Sequence, residues 1–250
     1  MSIADGFVNA GDFADLAELK ALCAPPPPPE PRAESVEAIR KLFADTGYRA
    51  DVPKLHRALV AYGAAELENL NTRGLVIKGD CGIGKTLGVR ILAARFRWTF
   101  TSAVDYAKAY VEQKPSAFDA VADGLDFFGN APRVLVIDDL GAEPAAVRRY
   151  GDERNVLAYV LERRYRIGFQ RQHSRTVVTT NLTDEELVRR YGARISDRLN
   201  EMADFVCVSA PSLRSLIPPR GARDASVRND AKTNAAIWKG VQGNSPANRK

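Results

Sequence analysis

Residues 79–86 have the glycine spacing of a loop that wraps a phosphate group. They read Gly-Asp-Cys-Gly-Ile-Gly-Lys-Thr, lie between a strand-like and a helix-like run, and fill the pattern G-x-x-x-x-G-K-[ST]. Backbone N–H groups of such a loop and the following helix N-terminus can surround a phosphate. We expect Lys85 to reach the β- and γ-phosphates of a nucleoside triphosphate, and the Thr86 hydroxyl to hold Mg²⁺. The loop residues expected to bind the nucleotide are Gly79, Asp80, Cys81, Gly82, Ile83, Gly84, Lys85 and Thr86.

Two neighbouring carboxylates end an apolar run further along the chain. The four residues at 134–137 are typical of a buried strand, and Asp138 and Asp139 follow them. Ligands of open α/β sheets bind at the carboxyl ends of strands, which would place both carboxylates beside the glycine loop. We expect Asp138 to orient Mg²⁺ and its waters, and Asp139 to accept a proton from the attacking water or align it. Alone, the same pattern also suits an aspartate that caps a turn.

A second strand-like run ends in a polar side chain, Asn181. Its amide could hydrogen-bond the attacking water or the γ-phosphate. A helix cap or turn before Thr183 fits the same residues about equally well.

Three arginines are candidates for phosphate contacts. Arg194 and Arg198 are four residues apart and so share one face of a helix. One of them could complete the nucleotide site of a neighbouring subunit as an arginine finger. The alternative is a surface pair bonded to Asp197 or Glu201. Arg214 is a further candidate for a phosphate contact.

The pattern of apolar residues alternates strands with helices, which indicates an α/β fold with a parallel sheet covered on both faces. Five strands are predicted, at 74–78, 98–102, 133–137, 176–180 and 204–208. Helices are predicted at 35–43, with Ser35 as N-cap, and at 54–69, 85–96, 103–114, 116–128, 154–168, 183–191 and 196–202. Thr183 and Glu186 have the spacing of a capping box.

The ends of the chain differ in composition from its middle. Residues 1–24 have the spacing of a short amphipathic helix, and a proline-rich linker at 25–34 follows. This helix could dock on a protein partner or be a frayed leader. Residues 35–70 are predicted as a helical lead-in, 71–217 as the core, and 218–250 as a basic flexible tail.

Composition narrows the class of protein. The net charge of +5 is distributed as an acidic head and a basic tail, which suits contacts with a protein and with a nucleic acid backbone, or a merely solvated tail. No apolar run approaches the ~20 residues that span a bilayer, so a cytoplasmic protein without membrane contact is expected. The three cysteines are isolated from one another, which disfavours structural zinc.

Taken together, six short motifs resemble the DnaC/IstB group of AAA+ ATPases. This group comprises bacterial and phage replicative-helicase loaders and the ATP-dependent helper proteins of certain transposons. The resemblance covers about residues 70–217 and is most specific in Ile-Asp-Asp-Leu-Gly (137–141), Thr-Thr-Asn-Leu (179–182) and the arginine box at 194–199. The other three motifs are the glycine loop, Arg-Arg-Tyr at 163–165 and Ser-Leu-Arg-Ser at 212–215.

The resemblance implies a role for each candidate residue. Walker A would be Lys85 and Thr86, Walker B Asp138 and Asp139, sensor 1 Asn181, the arginine finger Arg198 with Arg194, and sensor 2 Arg214. Many AAA+ proteins have glutamate where Asp139 stands, so hydrolysis could be slow. The short sequence after Arg214 implies a reduced or absent lid.

The resemblance also implies a P-loop NTPase of AAA+ type with a parallel five-stranded sheet, which uses ATP and Mg²⁺ and acts as a homo-oligomer. Its partners would be a replicative helicase and single-stranded DNA, or a transposase for the transposition helper. A nucleotide-gated scaffold with little turnover is another alternative. A DNA-binding insertion would fall at 103–128, with Tyr106, Lys108, Tyr110 and Lys114, although two plain amphipathic helices fit as well.

Overall fold

The computed structural model describes residues 29–71, 73–123, 134–170 and 175–213. The chain divides into two units, Met1–Glu30 and Pro31–Lys250, and every element below belongs to the second. The predicted helix within 1–24, residues 25–28 of the proline-rich linker, Arg214, the basic tail and any lid lie outside the described residues. Within the described part of the chain, no helix is long and apolar enough to cross a membrane.

The described residues include seven strands, which form two sheets. They are β1 (Gly74–Gly79), β2 (Thr99–Ser102), β3 (Val134–Leu140), β4 (Val147–Arg149), β5 (Asp152–Arg154), β6 (Arg175–Thr180) and β7 (Ala203–Val208). Five of them make a parallel sheet in the order β2-β3-β6-β1-β7. The α/β class and the five-stranded parallel sheet are therefore confirmed.

Eight helices are described, each near a predicted one. They are α1 (Ala33–Asp45), α2 (Pro53–Leu67), α3 (Lys85–Phe96), α4 (Ala103–Glu112), α5 (Pro115–Asp123), α6 (Val156–Gln170), α7 (Asp184–Tyr191) and α8 (Ala193–Met202). The capping box is confirmed, since the Thr183 hydroxyl accepts from the Glu186 N–H and the Glu186 carboxylate accepts from the Thr183 N–H. Ser35 as N-cap is wrong, because α1 begins earlier, after Arg32.

Alternate residues of the strands point to opposite faces of the sheet. Val134 and Val136 pack on the face covered by α1, α2 and α3, whereas Leu135 and Ile137 pack on the face covered by the later helices. This period of two is what a strand buried on both sides requires. Both faces of the sheet are therefore covered, and the edge at the carboxyl ends of its strands is left to form a site.

The two-stranded sheet was not predicted from the sequence. Strands β4 and β5 pair antiparallel as a hairpin of three residues each. The sequence has no alternation of apolar and polar residues here, since five of these six residues are arginine or acidic and four of those five are exposed. The usual strand signal is therefore missing.

Helices α4 and α5 correspond to the implied DNA-binding insertion, and their aromatic residues are not available for stacking. Tyr106 is 0% exposed and Tyr110 is 7% exposed, because both belong to the core. Asp123 forms a bidentate pair with Arg163 of α6. The alternative of two amphipathic helices therefore describes this part of the chain.

A buried ion pair holds α2 to the start of β6. The Arg175 guanidinium donates to both carboxylate oxygens of Glu66, at 2.8 and 2.9 Å, and both side chains are almost fully buried. Asn71 bonds to both partners. Its side-chain amide donates to Glu66 at 3.1 Å, and its backbone carbonyl oxygen accepts from Arg175 at 2.8 Å. Taking two charges out of water is costly, so the pair depends on both members being present.

We expect Arg175→Ala to lower the free energy of unfolding by about 3–5 kcal/mol, because it leaves the Glu66 carboxylate buried without its partner. Urea denaturation measures this. Arg148→Ala, at an exposed position, is the matched control and should change the value by about 0.5 kcal/mol or less. The double variant Glu66→Leu/Arg175→Met should recover much of the loss. A loss from Arg175→Ala no larger than that of the control would contradict this account.

Candidate nucleotide-binding site

The glycine loop joins β1 to α3 and depends on glycine at two positions, one for its backbone conformation and one for lack of space. Gly84 precedes α3 with φ of 95°, a left-handed conformation that suits glycine. A Cβ built on Gly79 would lie 1.9 Å from the carbonyl oxygen of Val208 in β7. The loop therefore requires glycine at these positions, and its last residues lead directly into the N-terminus of a twelve-residue helix.

The Lys85 ammonium lies inside the loop with its hydrogen bonds satisfied. It donates to the carbonyl oxygens of Gly79 and Asp80, both at 2.7 Å, and to Oδ1 of Asn181 at 2.6 Å. The side chain is 6% exposed. Burial lowers the pKa of Lys85, and the neighbouring Cys81 and aspartates oppose that shift.

The two predicted magnesium residues lie against each other. The Thr86 hydroxyl donates to Oδ1 of Asp138 at 2.9 Å, across 52 positions of sequence. Thr179 of β6 donates to the same oxygen at 2.6 Å and accepts from the Asp139 N–H at 2.9 Å. Thr179 thus orients both aspartates, a role that the sequence did not reveal because it lies inside a buried strand.

Asp139 has an exposed carboxylate on a strained backbone. Its φ is 56°, at the point where the pairing of β3 with β6 shifts register between Ile137 and Leu140. The Asn181 amide donates to its Oδ1 at 3.1 Å. Since Thr183 is the N-cap of α7, the alternative role of Asn181 as a helix cap does not apply. Asn181 instead joins Lys85 to Asp139.

These residues fit a bound Mg²⁺. This ion is commonly held by one or two carboxylates together with phosphate oxygens and waters. Thr86 and Asp138 supply a hydroxyl and a carboxylate at one point, beside the glycine loop that would hold the phosphates of the nucleotide. Among the described residues no three His, Cys, Asp or Glu side chains form a metal cluster, and a nucleotide-bound Mg²⁺ needs none.

The segment after β7 is bonded to the glycine loop. Oδ2 of Asp80 accepts from the Ser209 hydroxyl at 2.8 Å and from the Ala210 N–H at 3.0 Å. The Leu213 N–H donates to the carbonyl oxygen of Gly82 at 3.1 Å. The hydrogen bond from Ser209, then that from Ala210, lowers the pKa of Asp80. These contacts were not predicted, because nothing in the spacing relates residues so far apart.

The turn that follows Asp139 is held by a buried glutamate. Glu143 is 4% exposed, and its Oε2 accepts from the Gly141 N–H at 2.9 Å. Its Oε1 accepts from the Tyr191 hydroxyl at 2.6 Å and from the Arg190 Nε–H at 3.3 Å. Burial, then the hydrogen bond to Glu143, raises the pKa of Tyr191. Glu143 therefore joins the loop after β3 to the end of α7.

The two candidate finger arginines lie on α8 and face a glutamate of α6. Arg198 forms an ion pair with Glu162 of α6, and its guanidinium lies 4.6 Å from the ring centroid of Tyr165. Arg194 is 74% exposed and lies 3.4 Å from the same glutamate. The surface-pair alternative named Asp197 or Glu201 as the partner and is wrong on that point, since the ion pairs of both arginines are with Glu162. Arg214 lies outside the described residues.

No family model and no curated protein matches this sequence. Among solved structures it is similar to one described as the DnaC helicase loader, with 20% identity, a TM-score of 0.45, and coverage of 62% of this chain and 90% of that one. A primosome component from Streptococcus pyogenes serotype M3 is 20% identical with a TM-score of 0.46, covering 66% and 83%. DnaI is 16% identical with a TM-score of 0.48, covering 68% and 93%.

The first of these descriptions contains the name DnaC, which also stands in the name of the group that the motifs resemble. With TM-scores of 0.45 to 0.48 and identities of 16–20%, the similarity says nothing about a shared activity. What this site could do follows from its own residues.

Removing one donor to Asp80 should change its titration. We expect Ser209→Ala to raise the pKa of Asp80 toward its ordinary value, because the ionised form loses a hydrogen bond. In the unaltered protein the bonds are kept above the lowered pKa and lost as pH falls through it. NMR titration of the Asp80 carboxyl measures the shift, with Ser196→Ala on α8 as control. An unchanged titration in Ser209→Ala would show that this bond does not act on Asp80.

Proposed function

We propose that this protein is a Mg²⁺-dependent ATPase. The observation that supports it best is the unbroken contact from Lys85 through Asn181 to Asp139, beside the bonded pair of Thr86 and Asp138. These residues come from three separate segments of the sequence, which are the start of α3, the end of β3 and the position after β6. A structural role alone does not require a buried lysine, two aspartates and an amide to converge at a glycine loop.

Lys85 would exchange its bonds when a nucleotide binds. Its three donors are all in use, so phosphate oxygens must replace at least one of the carbonyl or amide acceptors. Thr86 and Asp138 would hold Mg²⁺, which neutralises phosphate charge during the transfer. Asp138 is kept in place by Thr179, so its carboxylate is oriented before the ligand arrives.

Asp139 would act on the attacking water, and Asn181 would hold the Asp139 carboxylate in position. The exposed carboxylate could accept the proton of a water or align it, while the amide fixes the direction of that carboxylate. A second candidate is a nucleotide-gated scaffold with little turnover. It is favoured by the hydrogen bond from Asn181 to Asp139. The Asp139 oxygen already accepts from Asn181, and aspartate reaches less far than glutamate.

ATP hydrolysis by purified variants separates the two candidates. We expect Lys85→Ala to lower kcat/KM by about a hundredfold or more, because the cation on the phosphates is lost. Asp139→Asn should lower kcat by about 10²–10⁴-fold while ATP binding persists. Lys41→Ala on α1 is the control. Each is measured with and without single-stranded DNA.

The outcomes are distinct. Turnover of Asp139→Asn equal to that of the unaltered protein would exclude Asp139 as the group that acts on the water. ATP binding without measurable turnover in the unaltered protein would favour the scaffold.

The biological role we propose is that of a helicase loader in bacterial or phage DNA replication, working as an oligomer on or near single-stranded DNA. It is supported by the motif set, and by an acidic N-terminal segment followed by prolines that suits docking on a protein. In an oligomer, Arg198 or Arg194 would serve the nucleotide of the next subunit. The transposition helper, with a transposase as partner, is the alternative, and the N-terminal segment argues against it.

Deletion of residues 1–31 tests the docking role. We expect the shortened protein to lose its complex with the replicative helicase in co-purification, because the proposed docking segment is gone. Its ATP hydrolysis should persist, since the site lies in the second unit. Helicase binding that survives the deletion would contradict the docking role without affecting the ATPase proposal.

A further inference from the structure

The turn that begins at Asp139 is held on both sides of its central peptide. The carbonyl oxygen of Asp139 accepts from the N–H three positions later, at 3.0 Å, which closes the turn. The peptide in its middle joins Leu140 to Gly141. Its carbonyl oxygen accepts from the Thr180 hydroxyl at 2.6 Å, and its N–H donates to Oε2 of Glu143 at 2.9 Å. Because turn types I and II differ in the direction of this peptide, the two bonds select one of them.

The selected turn determines where the Asp139 carboxylate lies. Gly141 has φ of 106°, the left-handed conformation that a type II turn requires at its third residue. A Cβ at Gly141 would lie 2.7 Å from Cδ1 of Leu182, the residue after Asn181. Asp139 itself has φ of 56°, which a residue other than glycine keeps where its surroundings impose it. The turn is part of those surroundings, so a change in the turn moves Asp139.

Glu143 is fixed by the helices behind it. Its side chain is 1% exposed, and its Oε1 accepts from Tyr191 and from Arg190 at the end of α7. The Arg190 guanidinium also donates to the backbone carbonyl oxygen of Glu143. The carbonyl oxygen of Arg190 in turn accepts from the Asn155 side chain at 2.9 Å, and Asn155 accepts from an N–H of α6. Glu143 is therefore anchored to two helices and holds the turn from a rigid base.

We propose that Glu143 is a positioning residue for ATP hydrolysis. Its buried carboxylate does not reach the nucleotide or the attacking water. It acts through Gly141 on the turn, and so on the carboxylate of Asp139. The inference rests on the proposed function and adds to it the residue that sets the direction of the group acting on the water.

A buried ion pair that only stabilises the fold is the alternative, and Glu66 provides the matched control. The Glu66 side chain is 6% exposed and pairs with Arg175 at the start of β6, whereas the nucleotide site lies beyond the end of that strand. Replacing either glutamate by glutamine leaves a guanidinium without its carboxylate, so both variants should be less stable. Only the change at Glu143 should alter the site.

Steady-state ATP hydrolysis by the full chain tests the proposal. We expect Glu143→Gln to lower kcat about ten- to a hundredfold and to leave KM nearly unchanged, because Asp139 is displaced while the phosphate contacts remain. Glutamine has one acceptor oxygen where glutamate has two, so it cannot serve both Gly141 and the end of α7. Tyr191→Phe, which removes one donor, should have a smaller effect on kcat. Glu66→Gln should keep kcat. An equal loss of kcat in both glutamine variants, or a change confined to KM, would overturn the proposal.

NMR of the full chain without nucleotide gives a second measurement that needs no turnover. The Asn181 side-chain amide donates to Oδ1 of Asp139 at 3.1 Å, so its ¹H–¹⁵N resonances report where that carboxylate lies. We expect them to shift in Glu143→Gln and to stay in place in Glu66→Gln. Resonances that Glu143→Gln leaves in place would overturn the inference, whether or not the protein hydrolyses ATP. Shifted resonances in a protein without turnover would contradict the ATPase proposal alone and would support the action of Glu143 on Asp139.

Discussion

The buried ammonium of Lys85 constrains the whole nucleotide site. A charge removed from water needs its donors satisfied, and here two carbonyls of the loop and the Asn181 amide provide the acceptors. This requires the loop to curl back on itself and β6 to end beside it. Asn181 in turn is fixed by its second contact, with Asp139. The geometry of the loop, of the sheet edge and of the strained aspartate thus depends on one cation.

Local patterns were enough to predict most of the fold. The glycine loop, the aspartates and Asn181 each follow a run of buried residues, and parallel strands bring such ends together at one edge. The helices follow from apolar spacing, and the capping box at Thr183 from two residue types three positions apart. These features share one property, which is that the signal and the structure it predicts lie within a few residues.

Features that depend on distant contacts could not be predicted. Ser209 meets Asp80 across 129 positions, and Glu143 meets Tyr191 across 48, with no local sign of either. Tyr106 and Tyr110 are residues of a type that often contacts nucleic acids. Tertiary packing, however, decides which side of α4 faces the core, and both tyrosines lie on that side. The hairpin of β4 and β5 was not predicted, because its strands are short and charged and only cross-strand pairing defines them.

The strand order has a consequence for folding. Strand β6 lies between β1 and β3, although it follows both in sequence, and Leu75 of β1 pairs with Val177 of β6. The site is therefore divided among segments that are far apart in sequence, and bringing them together is slow and unfavourable until the sheet is nearly complete. A partly assembled chain would have the glycine loop without its partners. A nucleotide would then bind, and so stabilise, the finished sheet in preference to its intermediates, which links ligand occupancy to completion of folding.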